Sequence, residues 1–218
     1  AAAPEEAFEP YQLEARTRAL AEYEAAMNHS LDFAASGHNL ANLYTAMGDA
    51  DIAESYYRRA IAVDDLFYPA KVNLAMLYNA TGRNAEAERL LREVVEEEPR
   101  IHDAAYSLAL LLVEMGRAPE ALPYLDRAVA GMPDNPRLRY NHGLLLQQMN
   151  RTDEARGELE AALALSPGEY DYLFALADHH FRFGEARTAL RYADALVLAY
   201  PDDTTALQVQ RTIRSRVR

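Results

Sequence analysis

Apolar residues recur along this chain at spacings of three and four, in blocks separated by short polar breaks. That is the pattern of helices that each bury one face. Residues 68 to 101 illustrate it. Pro69 stands where a helix can start, because the N–H it lacks has no partner in a first turn. Leu74, Leu77 and Tyr78 form an apolar stripe, and Gly82 ends the helix in a conformation that other residues resist. A second helix is expected from about Ala85 to Glu97, and Pro99 prevents its continuation.

This two-helix block recurs at a period of 34, as residues 34–67, 68–101, 102–135, 136–169 and 170–203. Leu40, Leu74, Leu108, His142 and Leu176 fall in one column, and Ala41, Ala75, Ala109, Gly143 and Ala177 in the next. Ala53, Ala87, Ala121, Ala155 and Ala189 form a third column without exception. Gly48, Gly82, Gly116, Asn150 and Gly184 mark a turn. Small residues let two helix backbones approach closely, and Tyr44, Tyr78, Leu112 and Leu146 fill the space beside them. One block cannot bury its apolar face alone, so neighbours must stack.

The flanks extend the pattern. Residues 1–10 are expected to be a disordered linker. Tyr11 to Asn28 reads as a helix, with Leu13, Leu20, Tyr23 and Met27 at helical spacing, inside an N-terminal segment of residues 11–33. Ala19, Tyr23 and Ala26 project onto the columns of Ala53, Tyr57 and Ala60, so this helix is either a cap or the second half of a repeat. Residues 204–218 are expected to form a capping helix, with Leu207, Val209 and Ile213 on one side and four arginines toward its end, where cations suit the helix dipole. The total comes to about thirteen helices if a short turn in residues 30 to 36 is counted.

A repeat of this length and pattern resembles the tetratricopeptide repeat family. The resemblance covers residues 34 to 203 and implies an all-α, right-handed solenoid of antiparallel helix pairs closed by a C-terminal capping helix. It also implies that the first helices line a concave groove through the second, fifth, ninth and twelfth residues of each repeat. The groove set is then His38, Asn42, Thr45, Met76, Asn79, Tyr106, Leu110, Tyr140, Leu144, Gln147, Phe174, Asp178 and Phe181. Its N-terminal end is polar, and its C-terminal end carries an aromatic ladder of Tyr106, Tyr140 and Phe174. Apolar side chains on an open face point to a docking surface for an extended or helical segment of a partner protein. The lysine–asparagine–arginine clamp of chaperone-binding members is not matched, since the fifth-residue lysine is absent and Asn42 is the only ninth-residue asparagine.

The chain also departs from the family pattern. The bulky first-helix residue is replaced by Gly37, Lys71, Ala105, Arg139 and Leu173. The fourth copy lacks the turn glycine and places His142 in the leucine column, and the fifth has His180 where a large apolar residue is usual. These changes are expected to loosen packing in copies four and five. The runs ALAEYEAA, HNLANLYTAMGDADIAESYYRRAIAVDDLFYPAKVNLAMLY and YLFALADHHFRFGEARTALRYADAL are also similar to repeat regions at the C-terminus of bacterial multihaem c-type cytochromes. That resemblance implies an extracytoplasmic location and a structural role in assembling a larger redox complex, through self-association or association with a redox protein.

Half of the 218 residues are hydrophobic, ample for a packed interior. A net charge of −12 makes nucleic acid a poor partner, and no apolar run approaches a membrane span. Counted repeat by repeat, the acidity looks evenly spread. With no cysteine there is no disulfide, thiolate metal site or cysteine nucleophile, and no haem attachment motif. His179 and His180 point about 100° apart on a helix, so they do not chelate one ion together. Glu96, Glu97 and Glu98 read as solvated surface. No serine has a nucleophile-elbow context and no phosphate loop occurs. The expectation is therefore a non-catalytic scaffold with no cofactor.

Overall fold

The computed structural model describes residues 10–217. The expected linker over residues 1–10 lies outside the described residues, except for Pro10, which opens the first helix. Among the described residues there are twelve helices and no strand: α1 Pro10–Asn28, α2 Ala34–Met47, α3 Ala50–Val63, α4 Tyr68–Ala80, α5 Asn84–Glu97, α6 His102–Glu114, α7 Ala118–Gly131, α8 Pro136–Gln148, α9 Thr152–Leu165, α10 Tyr170–Arg182, α11 Ala186–Ala199 and α12 Thr204–Arg214. The segment between α1 and α2 is a hydrogen-bonded turn without a helix of its own. The first helix of each pair starts 34 residues after the last, at 34, 68, 102, 136 and 170, and α12 starts at 204 in the same register.

The chain forms two compact units divided between Leu111 and Leu112. In the first, α2 pairs with α3 and α4 with α5, α3 stacks on α4, and α1 lies against α2. In the second, α8 pairs with α9 and α10 with α11, α7 packs on α8, α9 on α10, and α12 covers α11.

The turns inside the pairs share one geometry. Gly48, Gly82, Gly116 and Gly184 have φ of 88°, 79°, 75° and 81°. The residue after each donates its N–H five residues back: Asp49 to Tyr44 O, Arg83 to Tyr78 O, Arg117 to Leu112 O and Glu185 to His180 O, at 2.8–2.9 Å. This bond satisfies a helix-end carbonyl that would otherwise lack a partner. Asn150 takes the same place with φ of 59°, and Arg151 donates to Leu146 O at 2.9 Å. The fourth copy therefore lacks the glycine and keeps the turn, because asparagine tolerates the left-handed region better than other side chains do.

The alanine column is completely buried, in the first unit at Ala53 and Ala87 and in the second at Ala121, Ala155 and Ala189. At Gly37 an added Cβ would lie 3.3 Å from Ala60 Cβ, and at Gly143 it would lie 2.9 Å from Leu159 Cγ. Helix backbones approach here more closely than a larger residue allows.

The histidines that depart from the pattern in copies four and five are buried, each with one ring nitrogen partnered and the other, His142 Nδ1 and His180 Nε2, without a hydrogen-bond partner among the described residues. His142 is buried with Nε2 2.9 Å from Asp126 Oδ1. His180 is buried, stacks on Tyr192 at 5.4 Å and donates from Nδ1 to Glu185 Oε2 at 2.8 Å. In the capping helix, Ile213 is buried among Ala177, Ala189 and Ala193, with Val209 beside it, and Ala206 is buried against Leu173 and Leu196.

Candidate functional site

His38, Asn42 and Thr45, the polar end of the expected groove, form one internal network in the first unit. Tyr57 donates its hydroxyl to Asn42 Oδ1 at 2.6 Å, and Asn73 Nδ2 donates to the same oxygen at 2.9 Å. Asn42 Nδ2 lies 3.0 Å from His38 Nε2. The Thr45 hydroxyl donates to Ala41 O at 2.9 Å. The His38 ring meets Phe67 edge-on at 5.4 Å, and its burial holds its pKa below the ordinary histidine value. The amide of Asn42 is consequently spent on the fold. Asn39, Asn42 and Leu43 of α2 and Ala19, Leu20 and Tyr23 of α1 line a shallow recess.

Further along the same unit the surface turns apolar. Val72 and Met76 of α4 and Tyr106 and Leu110 of α6 line a cleft of about 560 Å³, together with Pro69, Asn73, Ile101, Asp103 and Ser107. Met76 is 57% exposed, although it belongs to a helix that buries seven of its residues. An unbranched thioether left in water beside an aromatic ring is adaptable contact surface. Asn79, a further predicted member, is half-buried near the end of α4.

In the second unit, the predicted residues divide between packing and opening. The Tyr140 ring lies 5.0 Å from Tyr172 and packs against the cluster around Leu159 and Leu176. The Arg137 guanidinium covers the Tyr140 ring at 5.5 Å and pairs with Asp171 at 3.0 Å. Burial pushes the Tyr140 phenol up. Leu144 is exposed, and Gln147 Oε1 lies 3.1 Å from His179 Nδ1. Phe174 stacks on Tyr170 with ring centroids 6.2 Å apart. Phe174, Asp178 and Phe181 line a second cleft, of about 340 Å³, whose other wall is α12 through Thr205, Gln208, Val209, Thr212 and Ile213. Asp178 is paired with Arg182 at 2.7 Å.

Reading residues by the family's groove positions did not reach the α12 wall. Yet Thr205, Gln208 and Thr212 are the second, fifth and ninth residues of a sixth first helix, so carrying the 34-residue register one step further finds them. Ile101 precedes α6 and has no groove position, so nothing in the periodicity marks it. Tyr106 belongs to the first unit, and Tyr140 and Phe174 belong to the second.

The family model described as tetratricopeptide repeat matches residues 38–96, 72–136 and 140–206, and a second model of the same description matches residues 112–163. The chain belongs to the tetratricopeptide repeat family. No curated protein sequence matches it. Among solved structures, this tetratricopeptide chain is similar to pilF of Pseudomonas aeruginosa, with a TM-score of 0.76 and 18% identity, covering 95% of this chain and 92% of that one. It is similar to YrrB, described as a tetratricopeptide protein with an unusual peptide-binding site, with a TM-score of 0.71 and 23% identity over 87% of this chain and 97% of that one. It is also similar to MamA from Desulfovibrio magneticus RS-1, with a TM-score of 0.67 and 19% identity over 82% and 96%. At these identities the likeness establishes the helical repeat fold.

Proposed function

We propose that this tetratricopeptide protein is a non-catalytic scaffold that docks an apolar segment of a partner protein along the faces of its first helices. The observation that carries this reading is the pair of apolar clefts, Met76–Tyr106–Leu110 in the first unit and Phe174–Phe181–Val209 in the second, on helices that also bury residues in packing. The peptide-binding description of YrrB supports the same use of this fold.

Docking should depend on Tyr106 in the cleft of the first unit and on Phe174 in the cleft of the second. Loss of one interface anchor commonly costs about 2 kcal/mol or more, so Tyr106→Ala with Phe174→Ala, which removes one anchor from each cleft, should weaken binding about tenfold or more. The test is capture of partners by the wild-type chain from its native cells, followed by titration of the captured partner against both proteins at matched helical content. Equal affinities would mean that the rings only pack and that partners dock elsewhere.

A second reading, an assembly role that includes self-association or attachment to a redox protein, rests on α1. Tyr23 is 39% exposed and Ala19 and Ala26 are exposed, whereas Tyr57, Ala53 and Ala60 in the corresponding columns are buried. A helix face patterned for packing is thus open to another helix. Sedimentation of the wild type and of Tyr23→Glu tests it; a concentration-independent monomer in both would exclude self-association through this face.

A further inference from the structure

The cleft between α4 and α6 has an electrical character of its own. Of its nine lining residues, Asp103 is the one with a charge. Asp103 is exposed in the first turn of α6, where the helix dipole favours an anion, and it makes no ion pair or side-chain hydrogen bond among the described residues. The nearest arginine or lysine in sequence, Arg100, is paired with Glu98 at 2.9 and 3.1 Å. Residues 10–111 hold 16 acidic and 9 basic side chains, a net of −7, while residues 112–217 hold 15 and 12, a net of −3. The unit that holds this cleft is thus the more acidic of the two.

Resting on the docking reading above, we propose that this cleft selects a segment of a partner protein in which a large apolar side chain and a lysine or arginine lie close together. Asp103, Tyr106 and Leu110 share one face of α6, spaced three and seven residues from the first. At 1.5 Å per residue, carboxylate and apolar floor are about 5 to 10 Å apart along the helix, so the partner's cation and apolar group need the same separation. That corresponds to three to seven residues in a helix or two or three in an extended strand. The apolar group sits against Met76 and Tyr106, and the cation closes on Asp103. An acidic segment meets an uncompensated carboxylate in a field of the same sign. A second copy of this chain meets the same repulsion, because the net charge is −12.

The test uses the full chain and three fluorescein-labelled dodecapeptides with one shared leucine–phenylalanine core, flanked by lysine, glutamine or glutamate. Binding is read by anisotropy at low and at physiological salt. A single exposed ion pair is worth at most about fivefold, so the lysine peptide should bind about threefold to fivefold tighter than the glutamine peptide, with the gap shrinking in salt. Asp103→Lys should reverse the order in favour of the glutamate peptide, and Asp103→Asn should level it, at unchanged helical content. Met76→Asp should weaken all three. An order that Asp103→Lys leaves unchanged overturns the proposal. Equal binding of all three peptides that Met76→Asp abolishes overturns the charge selection while leaving docking in the cleft intact. No binding by any peptide overturns both. If, in addition, the chain forms a dimer that Met76→Asp disrupts, the occupant is a second copy.

Discussion

The ammonium of Lys71, 1% exposed, lies 2.5 Å from Glu93 Oε1 across the α4–α5 pair. Asp65 and Glu97 complete the cluster at 3.1 and 3.5 Å. Burial pulls the lysine pKa down, and the bonds to Glu93 and Asp65 outweigh it and hold the group above the usual lysine range. Lys71 stands where the other repeats carry Gly37, Ala105, Arg139 and Leu173, and its methylene stem fills volume there. The carboxylates reach water, so they keep their hydration if the lysine is removed. Lys71→Met should therefore leave stability within about 1 kcal/mol of the wild type, because a buried pair replaced by an apolar group of similar size is often neutral. Lys71→Ala should lose about 2 kcal/mol or more through the cavity it leaves. Urea unfolding of both variants checks this; a methionine variant as unstable as the alanine variant would mean that charge, and not volume, secures the site.

The alanine column sets the distance between helices. Ala121 is completely buried on α7, and Ala121→Leu should cost on the order of 1–3 kcal/mol by forcing the neighbouring helices apart. Thermal unfolding reads the loss. An unchanged midpoint would mean that the register of the column is wrong.

The turn at Asn150 offers a substitution that should stabilise. Its φ of 59° costs a side chain strain that glycine does not feel. Asn150→Gly should raise stability by a few tenths up to about 1 kcal/mol, and Asn150→Ala should lower it by about 1 kcal/mol. The opposite ranking in chemical denaturation would show that another contact of the asparagine matters more than its backbone.

Acid should weaken the fold through histidine. Burial lowers the pKa of His179, with His180 and Arg156 adding to the effect, and burial also lowers that of His38. Both groups bind protons more readily in the unfolded chain, whose histidine value is about 6.5. Their contribution is fully present above that value and is lost progressively as pH falls from it toward the lowered folded values, with a slope of at most about 1.4 kcal/mol per pH unit for each histidine. Unfolding free energies between pH 7.5 and 5.5 should show the decline, and His179→Gln should flatten it. An unchanged slope in His179→Gln would remove that residue from the explanation.

Much of the fold was legible in the 34-residue period, because each element in such a repeat is specified by its own residues and its nearest neighbours. Leucine at 40, 74, 108 and 176, alanine at 53 through 189 and a left-handed residue at each turn are local requirements, and a local requirement repeats visibly. The helix ends followed for the same reason. Pro99, Pro133, Pro167 and Pro201 each stand two residues beyond a helix end. What the period could not convey was which side of a column meets water. Ala19, Tyr23 and Ala26 share columns with Ala53, Tyr57 and Ala60, yet the first set is exposed and the second buried. Burial depends on the presence of a neighbouring helix, which no single position encodes. The cluster around Lys71 shows the same limit. Glu97 read as solvated surface, and the fold turned it toward an ammonium from 26 residues away. The clefts arise likewise from side chains of different helices, and their volume and charge exist only once those helices are placed side by side.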